Sequence, residues 1–160
     1  MRRVRHLPFV IALAAALGGC SGPEESALRP LPDERLGTLA GVPGPSLASC
    51  PTDRCLTVLV APWCSVCHGA VPEILALRRW LDAHGVSSRV VVGASADREE
   101  IADFAKDFGP DTMLDYEQSL HARSVPLFLV TDRKGRVLKS VGGLPRADGP
   151  ETLARYLELL

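Results

Sequence analysis

The stretch Leu56-Thr57-Val58-Leu59-Val60-Ala61-Pro62-Trp63-Cys64-Ser65-Val66-Cys67 decides the fold. Its first six residues are mostly apolar or β-branched, which is typical of a strand that is buried on both faces of a sheet. A helical stretch is predicted to follow from about residue 64 to residue 83, with a stop at Gly85 and a kink at Pro72. A cysteine pair therefore lies where a buried strand passes into a helix.

A C-x-x-C pair at the start of a helix has a chemical meaning. The sulfur of Cys64 would lie beside backbone N–H groups without partners and near the positive end of the helix dipole, and both stabilise a thiolate. The sulfur of Cys67, one turn further in, would be shielded and close enough to form a disulfide. We therefore expect Cys64 to attack a partner's disulfide and Cys67 to resolve the mixed disulfide.

The residues that follow alternate between strand and helix patterns. Strands are predicted at 56–61, 89–93, 127–131 and 137–141, and the last two form a hairpin around the turn 132–135. Helices are predicted at 97–108, where Asp97 is a suitable N-cap, at about 117–122 and at 150–160. The order β-α-β-α-(α)-β-β-α predicts an α/β fold with a mixed central sheet and helices on both faces.

The N-terminus has the pattern of a secretory signal peptide. Three arginines within the first six residues precede the apolar run 7–17, and small residues precede Cys20. A buried helix is the alternative, but the run has no polar face. The stretch Leu17-Gly18-Gly19-Cys20 resembles the bacterial lipobox, which implies a signal peptide over 1–19 and a lipid on Cys20. Ser21 in place of Asp favours the outer membrane in a Gram-negative host, with the protein facing the periplasm.

Composition limits the rest of the chain. Lys and Arg number 18 against 19 Asp and Glu, so the net charge of −1 argues against a polybasic nucleic-acid binder. Nine of the 29 residues in 21–49 are Pro or Gly, which is typical of a linker. We therefore predict a lipidated cysteine and tether over 20–49 and one domain over 50–160.

The chain has five cysteines, an odd number for an exported protein, in which disulfides persist. Cys50 and Cys55 lie just before the first predicted strand, where a disulfide would close a short loop and pin the tether to the domain. The alternative is a second redox pair that relays electrons to Cys64 and Cys67. A lipid on Cys20 would account for the fifth cysteine.

Two other chemistries share the cysteine motif. A zinc site would need a second ligand pair, for which Cys50 and Cys55 are available. The residues Cys64-Ser-Val-Cys67-His68 also match the C-x-x-C-H signature of c-type haem attachment, with His68 as axial ligand and Met113 as the only mature methionine for the sixth position. The β-strand context disfavours haem because small c-type cytochromes are helical. We then expect His68 to be an exposed residue beside the thiols.

The residues Ala61-Pro62-Trp63-Cys64-Ser65-Val66-Cys67 resemble the A-x-W-C-x-x-C active site of thioredoxin-like proteins of the TlpA/ResA type. The segment 113–137 and Val141-Gly142-Gly143 also agree with that family in order and spacing, so the resemblance covers most of 50–160. It implies a thioredoxin-like three-layer fold and thiol–disulfide oxidoreductase activity. It further implies that Trp63 shields the site and that Val125–Pro126 is a cis peptide bond packed against the disulfide, with backbone that pairs with the substrate.

Two single positions and one dipeptide depart from the family pattern. Val58 stands where thioredoxin has a buried Asp, and Ala70 stands where ResA-type proteins have a Glu. Proton transfer would then involve His68 or water, and Glu73 is the nearest acid in sequence. The dipeptide Ser65-Val66 matches neither the Gly-Pro of reducing thioredoxins nor the Pro-His of strong oxidants, so both directions of exchange stay open.

These observations together predict a lipid-anchored thiol–disulfide oxidoreductase of the cell envelope with no cofactor beyond its redox-active disulfide. The expected partners are exported proteins with cysteines, such as apocytochromes in cytochrome c biogenesis or copper-site proteins, and a membrane electron donor of the DsbD/CcdA type. No nucleic-acid partner is expected. The alternatives are a c-type haem electron carrier and a redox-inert lipoprotein module.

Overall fold

The computed structural model describes residues 30–160. The strands are β1 Arg35–Thr38, β2 Pro43–Ser46, β3 Arg54–Val60, β4 Ser87–Val92, β5 Met113–Leu114, β6 Leu127–Asp132 and β7 Val137–Gly142. The helices are α1 Ser65–Gly69, α2 Val71–Ala83, α3 Arg98–Ala105 and α4 Pro150–Tyr156, and a 3₁₀ turn at Lys106–Phe108 follows α3.

The strands form one mixed sheet in the order β2-β1-β5-β4-β3-β6-β7. The central strand β3 runs parallel to β4, from Cys55 opposite Ser87 to Val60 opposite Val92. It runs antiparallel to β6, with Leu59 opposite Leu127 at one end. Every residue of β3 after Arg54 is buried, as the apolar run predicts for a strand covered on both faces. The predicted mixed α/β sheet is therefore confirmed.

Alternate residues of β3 belong to two apolar clusters. Val58 and its neighbours at 56 and 60 pack with buried side chains of α2, α3 and α4, and we call this side the helical face. Leu59 points the other way and packs with Leu31, Leu36 and Leu47 from the N-terminal segment, on what we call the second face. The buried residues of all four helices belong to the cluster on the helical face and none to the cluster on the second face, so the helices predicted on both faces of the sheet lie on one face. Residues 61–63 join the central strand β3 to the Cys64–Cys67 pair.

The folded unit begins before Cys50, which corrects the tether predicted over 20–49. Strand β1 pairs with β2 and β5, and Leu36 and Leu47 are buried in the core. Pro43 and Pro45 occupy exposed positions of β2, an edge strand where a missing N–H need not break the sheet. The proline-rich composition therefore led to a linker prediction where the chain forms an edge strand. Residues 20–29 of the predicted tether lie outside the described range.

Arg89 ties this N-terminal segment to the second face. The side chain is 9% exposed, and its Nε donates to the hydroxyl of Thr57 at 2.8 Å. Its two Nη atoms donate to the carbonyl oxygens of Ser46 and Leu47 at 2.7 and 2.6 Å. Burial lowers the pKa of Arg89 to about 10, so the guanidinium stays charged at neutral pH.

The helix predicted at 117–122 is wrong. Residues 116–124 form turns, and Gln118 and His121 have positive φ values of 57° and 43°, which a right-handed helix excludes. The carboxylate of Asp115 accepts hydrogen bonds from the backbone N–H groups of Ser119 at 2.8 Å and Leu120 at 3.2 Å. A side chain that captures backbone donors in this way competes with helix formation.

The single kinked helix predicted from residue 64 is two helices. Ala70 ends α1 and also precedes the first residue of α2, and Pro72 lies in the first turn of α2. Proline fits this position because the first N–H groups of a helix have no intrahelical acceptor. The chain therefore breaks two residues before the proline, which leaves a separate short helix for the cysteine pair.

Among residues 30–160, no helix is both long and apolar enough to cross a membrane. The predicted signal peptide and Cys20 lie outside the described residues.

Candidate active site

Cys64 and Cys67 form a disulfide where β3 leads into α1, with their Cα atoms 5.2 Å apart. Cys64 is the N-cap of α1, and its Sγ atom accepts a hydrogen bond from the backbone N–H of Cys67 at 3.1 Å. Cys64 is 6% exposed, whereas Cys67 is fully buried. A thiolate formed on Cys64 would meet a backbone donor, and Cys67 is sheltered behind it.

The loop before β6 lies against the disulfide. The Sγ atom of Cys64 is 3.5 Å from the carbonyl oxygen of Val125, and the peptide bond between Val125 and Pro126 is cis, as the resemblance implies. The carbonyl oxygen of Pro126 accepts a hydrogen bond from the N–H of Gly143 at 2.7 Å. The end of β7 therefore fixes this loop next to Cys64.

Trp63 is held by a hydrogen bond and is poorly buried. Its indole Nε1 donates to the carbonyl oxygen of Ala94 at 2.6 Å, and the residue is 64% exposed. Val66, between the two cysteines, is 53% exposed. Trp63 and Val66 thus present an exposed apolar surface next to Cys64, and the implied shielding of the site by Trp63 stays a prediction.

Two residues behind this surface were not predicted to matter for the site. Ala94, at a φ of 55°, supplies the acceptor for Trp63 and follows Gly93, where a Cβ would lie 2.8 Å from the Cβ of Asp115. Asp115 is 1% exposed and directs the turn that leads to Val125. The only sequence signal for Asp115 is a lone acid directly after two buried strand residues.

The positions of the missing family acids are apolar and closed. Val58 and Ala70 are fully buried and belong to the same cluster as Cys64 and Cys67. Glu73 is exposed and lines a cavity of about 70 Å³ with the loop 144–150 and Leu153. Glu73 therefore faces that loop, and no contact joins it to either sulfur.

His68 is exposed and lies one turn after Cys64. Its Nε2 atom is 2.7 Å from the carbonyl oxygen of Pro62, and its ring packs on Phe104 with 4.2 Å between centroids. Met113, the other residue of the haem alternative, is 1% exposed and packs in the cluster on the second face. Phe104 belongs to the helical-face cluster, so the two would-be ligands lie on opposite faces of the sheet.

Cys50 and Cys55 form the second disulfide, with Cα atoms 5.6 Å apart and exposures of 7% and 2%. It lies at the start of β3, beside the turn 132–135, and we call this the distal end of the sheet. Five residue steps along β3 from Cys55 to Val60 span about 16 Å before the chain reaches Cys64. Direct exchange between the two pairs is not possible at that separation, which favours a structural role over a relay.

No metal centre is formed by the part of the chain from residue 30 onward, where no three His, Cys, Asp or Glu side chains are grouped to hold an ion. The two cysteine pairs needed for the zinc alternative are at opposite ends of β3 and are each oxidised.

No family model and no curated protein matches the sequence. Solved structures do. The pneumococcal exposed lipoprotein thioredoxin Etrx1 of Streptococcus pneumoniae has a TM-score of 0.65 at 18% identity, covering 81% of this chain and 100% of its own. A thio-disulfide isomerase of Thermus thermophilus has 0.57 at 25%, covering 82% and 94%. StoA of Bacillus subtilis has 0.58 at 17%, covering 79% and 98%. Over about four-fifths of its length, this chain has the thioredoxin-like fold that its sequence predicts.

Proposed function

We propose that this protein is a thiol–disulfide oxidoreductase that exchanges disulfides with cysteine-containing proteins through Cys64. The observation that carries the proposal is the position of Cys64, which caps α1, pairs with the buried Cys67 and lies 3.5 Å from the carbonyl oxygen of Val125. Likeness to the thio-disulfide isomerase of Thermus thermophilus, at 25% identity, supports it.

In the reducing direction, the thiolate of Cys64 attacks one sulfur of a substrate disulfide. That S–S bond breaks, a mixed disulfide forms, and the other substrate sulfur leaves as a thiolate. The thiolate of Cys67 then attacks the sulfur of Cys64, re-forms the internal disulfide and releases the second substrate thiolate. Two electrons pass to the substrate, and its two thiolates take up protons. The oxidising direction reverses these steps.

The surroundings of Cys64 suit this sequence of steps. The N–H of Cys67 stabilises negative charge on the Sγ atom of Cys64, which favours it as both attacking and leaving group. Cys67 is fully buried, so an external disulfide reaches Cys64 first. The backbone of Val125 offers an extended substrate chain hydrogen-bonding groups beside the exposed indole of Trp63. Because two electrons pass directly from a dithiol to a disulfide, we propose that no cofactor is needed.

We further propose that the protein works at the cell envelope, held by a lipid on Cys20 and facing the periplasm. The lipobox-like N-terminus supports this location, and two disulfides suit an oxidising compartment. The likeness to an exposed lipoprotein thioredoxin is consistent with it. Its partners would be exported cysteine proteins, including apocytochromes or copper-site proteins, and a membrane electron donor of the DsbD/CcdA type.

The haem-carrier alternative has poor support from the geometry. Both sulfurs that would bind the haem are joined to each other, and Cys67 is closed to solvent. The ring of His68 is engaged with Pro62 and Phe104, and Met113 lies across the sheet.

Trapping tests the proposed function. A Cys67→Ser variant, expressed in the native host, leaves Cys64 unable to resolve its mixed disulfides, so exported proteins should accumulate as adducts that a reductant releases. The matched control, Cys64→Ser with Cys67→Ser, should trap none. If the single variant traps no protein through Cys64, the chain is a redox-inert module and the proposal fails.

A further inference from the structure

His68 joins the end of α1 to the loop that precedes Cys64. Its Nε2 atom lies 2.7 Å from the carbonyl oxygen of Pro62. Because a carbonyl oxygen only accepts hydrogen bonds, Nε2 carries the hydrogen, and Nδ1 is the unprotonated nitrogen of the neutral ring. The backbone N–H of His68 also donates to the carbonyl oxygen of Cys64 at 3.2 Å.

An aromatic contact holds the same ring from another side. The ring centroids of His68 and Phe104 are 4.2 Å apart, with 41° between the planes. Phe104 belongs to α3 and is 5% exposed, so it is itself fixed in the core of the helical face. An exposed side chain usually keeps its rotamer freedom. The side chain of His68 instead has one hydrogen bond and one ring contact that define a single position.

The bond to Pro62 is one of several polar contacts on the loop 61–64. The N–H of Cys64 donates to the carbonyl oxygen of Ala61 at 3.2 Å, and the indole of Trp63 donates to Ala94 at 2.6 Å. Trp63 is 64% exposed, so burial does little to hold it. Hydrogen bonds on both sides of Trp63 therefore determine where it lies.

His68 is the side chain that makes this contact with Pro62. Between Cys55 and Glu73, His68 is the only ionisable residue besides Cys64 and Cys67. The two family positions that could carry an acid, Val58 and Ala70, are buried and apolar.

We propose that His68 is a positioning residue for disulfide exchange. Its Nε2–H···O bond to Pro62 holds Trp63 and Cys64 where an incoming disulfide meets them. This role rests on the proposed function, and it uses the histidine of the C-x-x-C-H motif without a haem.

Two substitutions separate the hydrogen bond from the ring contact. His68→Phe keeps an aromatic ring against Phe104 but has no donor for Pro62, whereas His68→Gln keeps an N–H donor at similar reach and loses the ring. Both are made in a Trp80→Phe background, so that Trp63 is the only tryptophan. His84→Phe is the matched control, because the Nδ1 of His84 contacts the carbonyl oxygen of Trp80 in the same way at the far end of α2.

The measurements are the rate of reaction of the reduced protein with a peptide disulfide and the fluorescence anisotropy of Trp63. For His68→Phe we expect the rate to fall about three- to tenfold, the range that corresponds to one ordinary hydrogen bond, and the anisotropy to decrease. His68→Gln should restore most of both, and His84→Phe should change neither.

Two results would overturn the role of His68. One is a His68→Phe variant with unchanged rate and anisotropy, and the other is a His68→Gln variant as impaired as His68→Phe. A parent protein that exchanges no disulfide at all would overturn the proposed function, while the anisotropies would still report whether His68 holds Trp63. Thermal unfolding of each variant checks that the fold is intact.

Discussion

The two disulfides lie at opposite ends of the same strand and differ in what surrounds them. The Cys50–Cys55 pair is enclosed by the distal end, where the hydroxyl of Thr52 lies 3.4 Å from the sulfur of Cys55. The Cys64–Cys67 pair meets a helix N-terminus, the carbonyl oxygen of Val125 and the exposed indole of Trp63. Both pairs are largely buried, so exposure of the sulfur alone does not separate them.

If exchange takes place at Cys64 as proposed, the local backbone and the neighbouring surface distinguish the two disulfides, and burial does not. At the distal end, the bond connects the N-terminal segment to β3, next to the residues that Arg89 clamps. At the other end, it closes a single turn of helix below an apolar surface that a partner can touch. Each disulfide can be removed by substitution while the other is left in place.

The largest expected effect is the loss of exchange when the Cys64–Cys67 pair is removed. Replacing both residues by Ala should abolish disulfide exchange with a model peptide, because no thiolate remains at the apolar surface. Replacing Cys50 and Cys55 by Ala should leave the rate unchanged. Stopped-flow measurement of the exchange rate of both double variants tests this. If the variant without Cys50 and Cys55 lost exchange, the hypothesis that this pair relays electrons to Cys64 and Cys67 would be favoured again.

The next largest effect is expected from Arg89→Ala. It removes three hydrogen bonds and leaves the carbonyl oxygens of Ser46 and Leu47 without this donor, so we expect a loss of about 3 kcal/mol in the free energy of unfolding. Denaturant unfolding measures it. Arg133→Ala is the matched control at the same end, since its ion pair with Asp53 is exposed and should contribute less than about 1 kcal/mol. Equal losses of stability for the two substitutions would contradict the role of Arg89 in holding the N-terminal segment to the sheet.

Removal of the distal disulfide should cost somewhat less. The bond spans a sequence separation of 5, and loop entropy for so short a loop predicts that Cys50→Ala with Cys55→Ala lowers the free energy of unfolding by about 2 kcal/mol. Urea unfolding of the double variant tests this value. A stability equal to that of the unaltered protein would mean that Arg89 and the surrounding contacts suffice to hold the N-terminal segment.

The smallest effect concerns pH at the distal turn. Partial burial would raise the pKa of Asp132, but hydrogen bonds from Arg136 and Lys134 outweigh it and hold the pKa below its usual value. A lowered pKa stabilises the fold above the unfolded pKa, near 4, and this contribution disappears as the pH falls further. The difference in Tm between the unaltered protein and Asp132→Asn should therefore be larger at pH 7 than at pH 3. A difference that grew on acidification would contradict the assignment.

Much of the fold follows from local patterns in the sequence. The apolar run before Cys64 predicts β3, and the turn at 132–135 predicts the β6–β7 hairpin. The β1–β2 hairpin was missed because Pro43 and Pro45 are typical of linkers, and only the position of β2 at the sheet edge makes them acceptable. The helix at 117–122 was wrongly predicted because Asp115, which precedes the helical pattern, captures the N–H groups of Ser119 and Leu120 and so competes with the helix.

The features of the site that could be predicted are those that a short sequence motif encodes. The C-x-x-C spacing places both sulfurs, and the resemblance implied the cis bond before Pro126. The hydrogen bonds that hold Trp63 and its loop could not be predicted from the sequence. Their acceptors are the backbone carbonyl oxygens of Ala94 and Pro62, and every residue has such an oxygen. A backbone acceptor leaves no trace in a sequence.

The bridge between Pro30 and Arg136 has a practical consequence for handling the molecule. It places Pro30, the first described residue, beside the distal turn, and the six residue steps of β3 put about 20 Å of sheet between that turn and the residues that lead to Cys64. An attachment at Pro30, to a resin, an electrode or a fusion partner, would hold the molecule at the end of the sheet away from Cys64. The exchange surface would then face the solution.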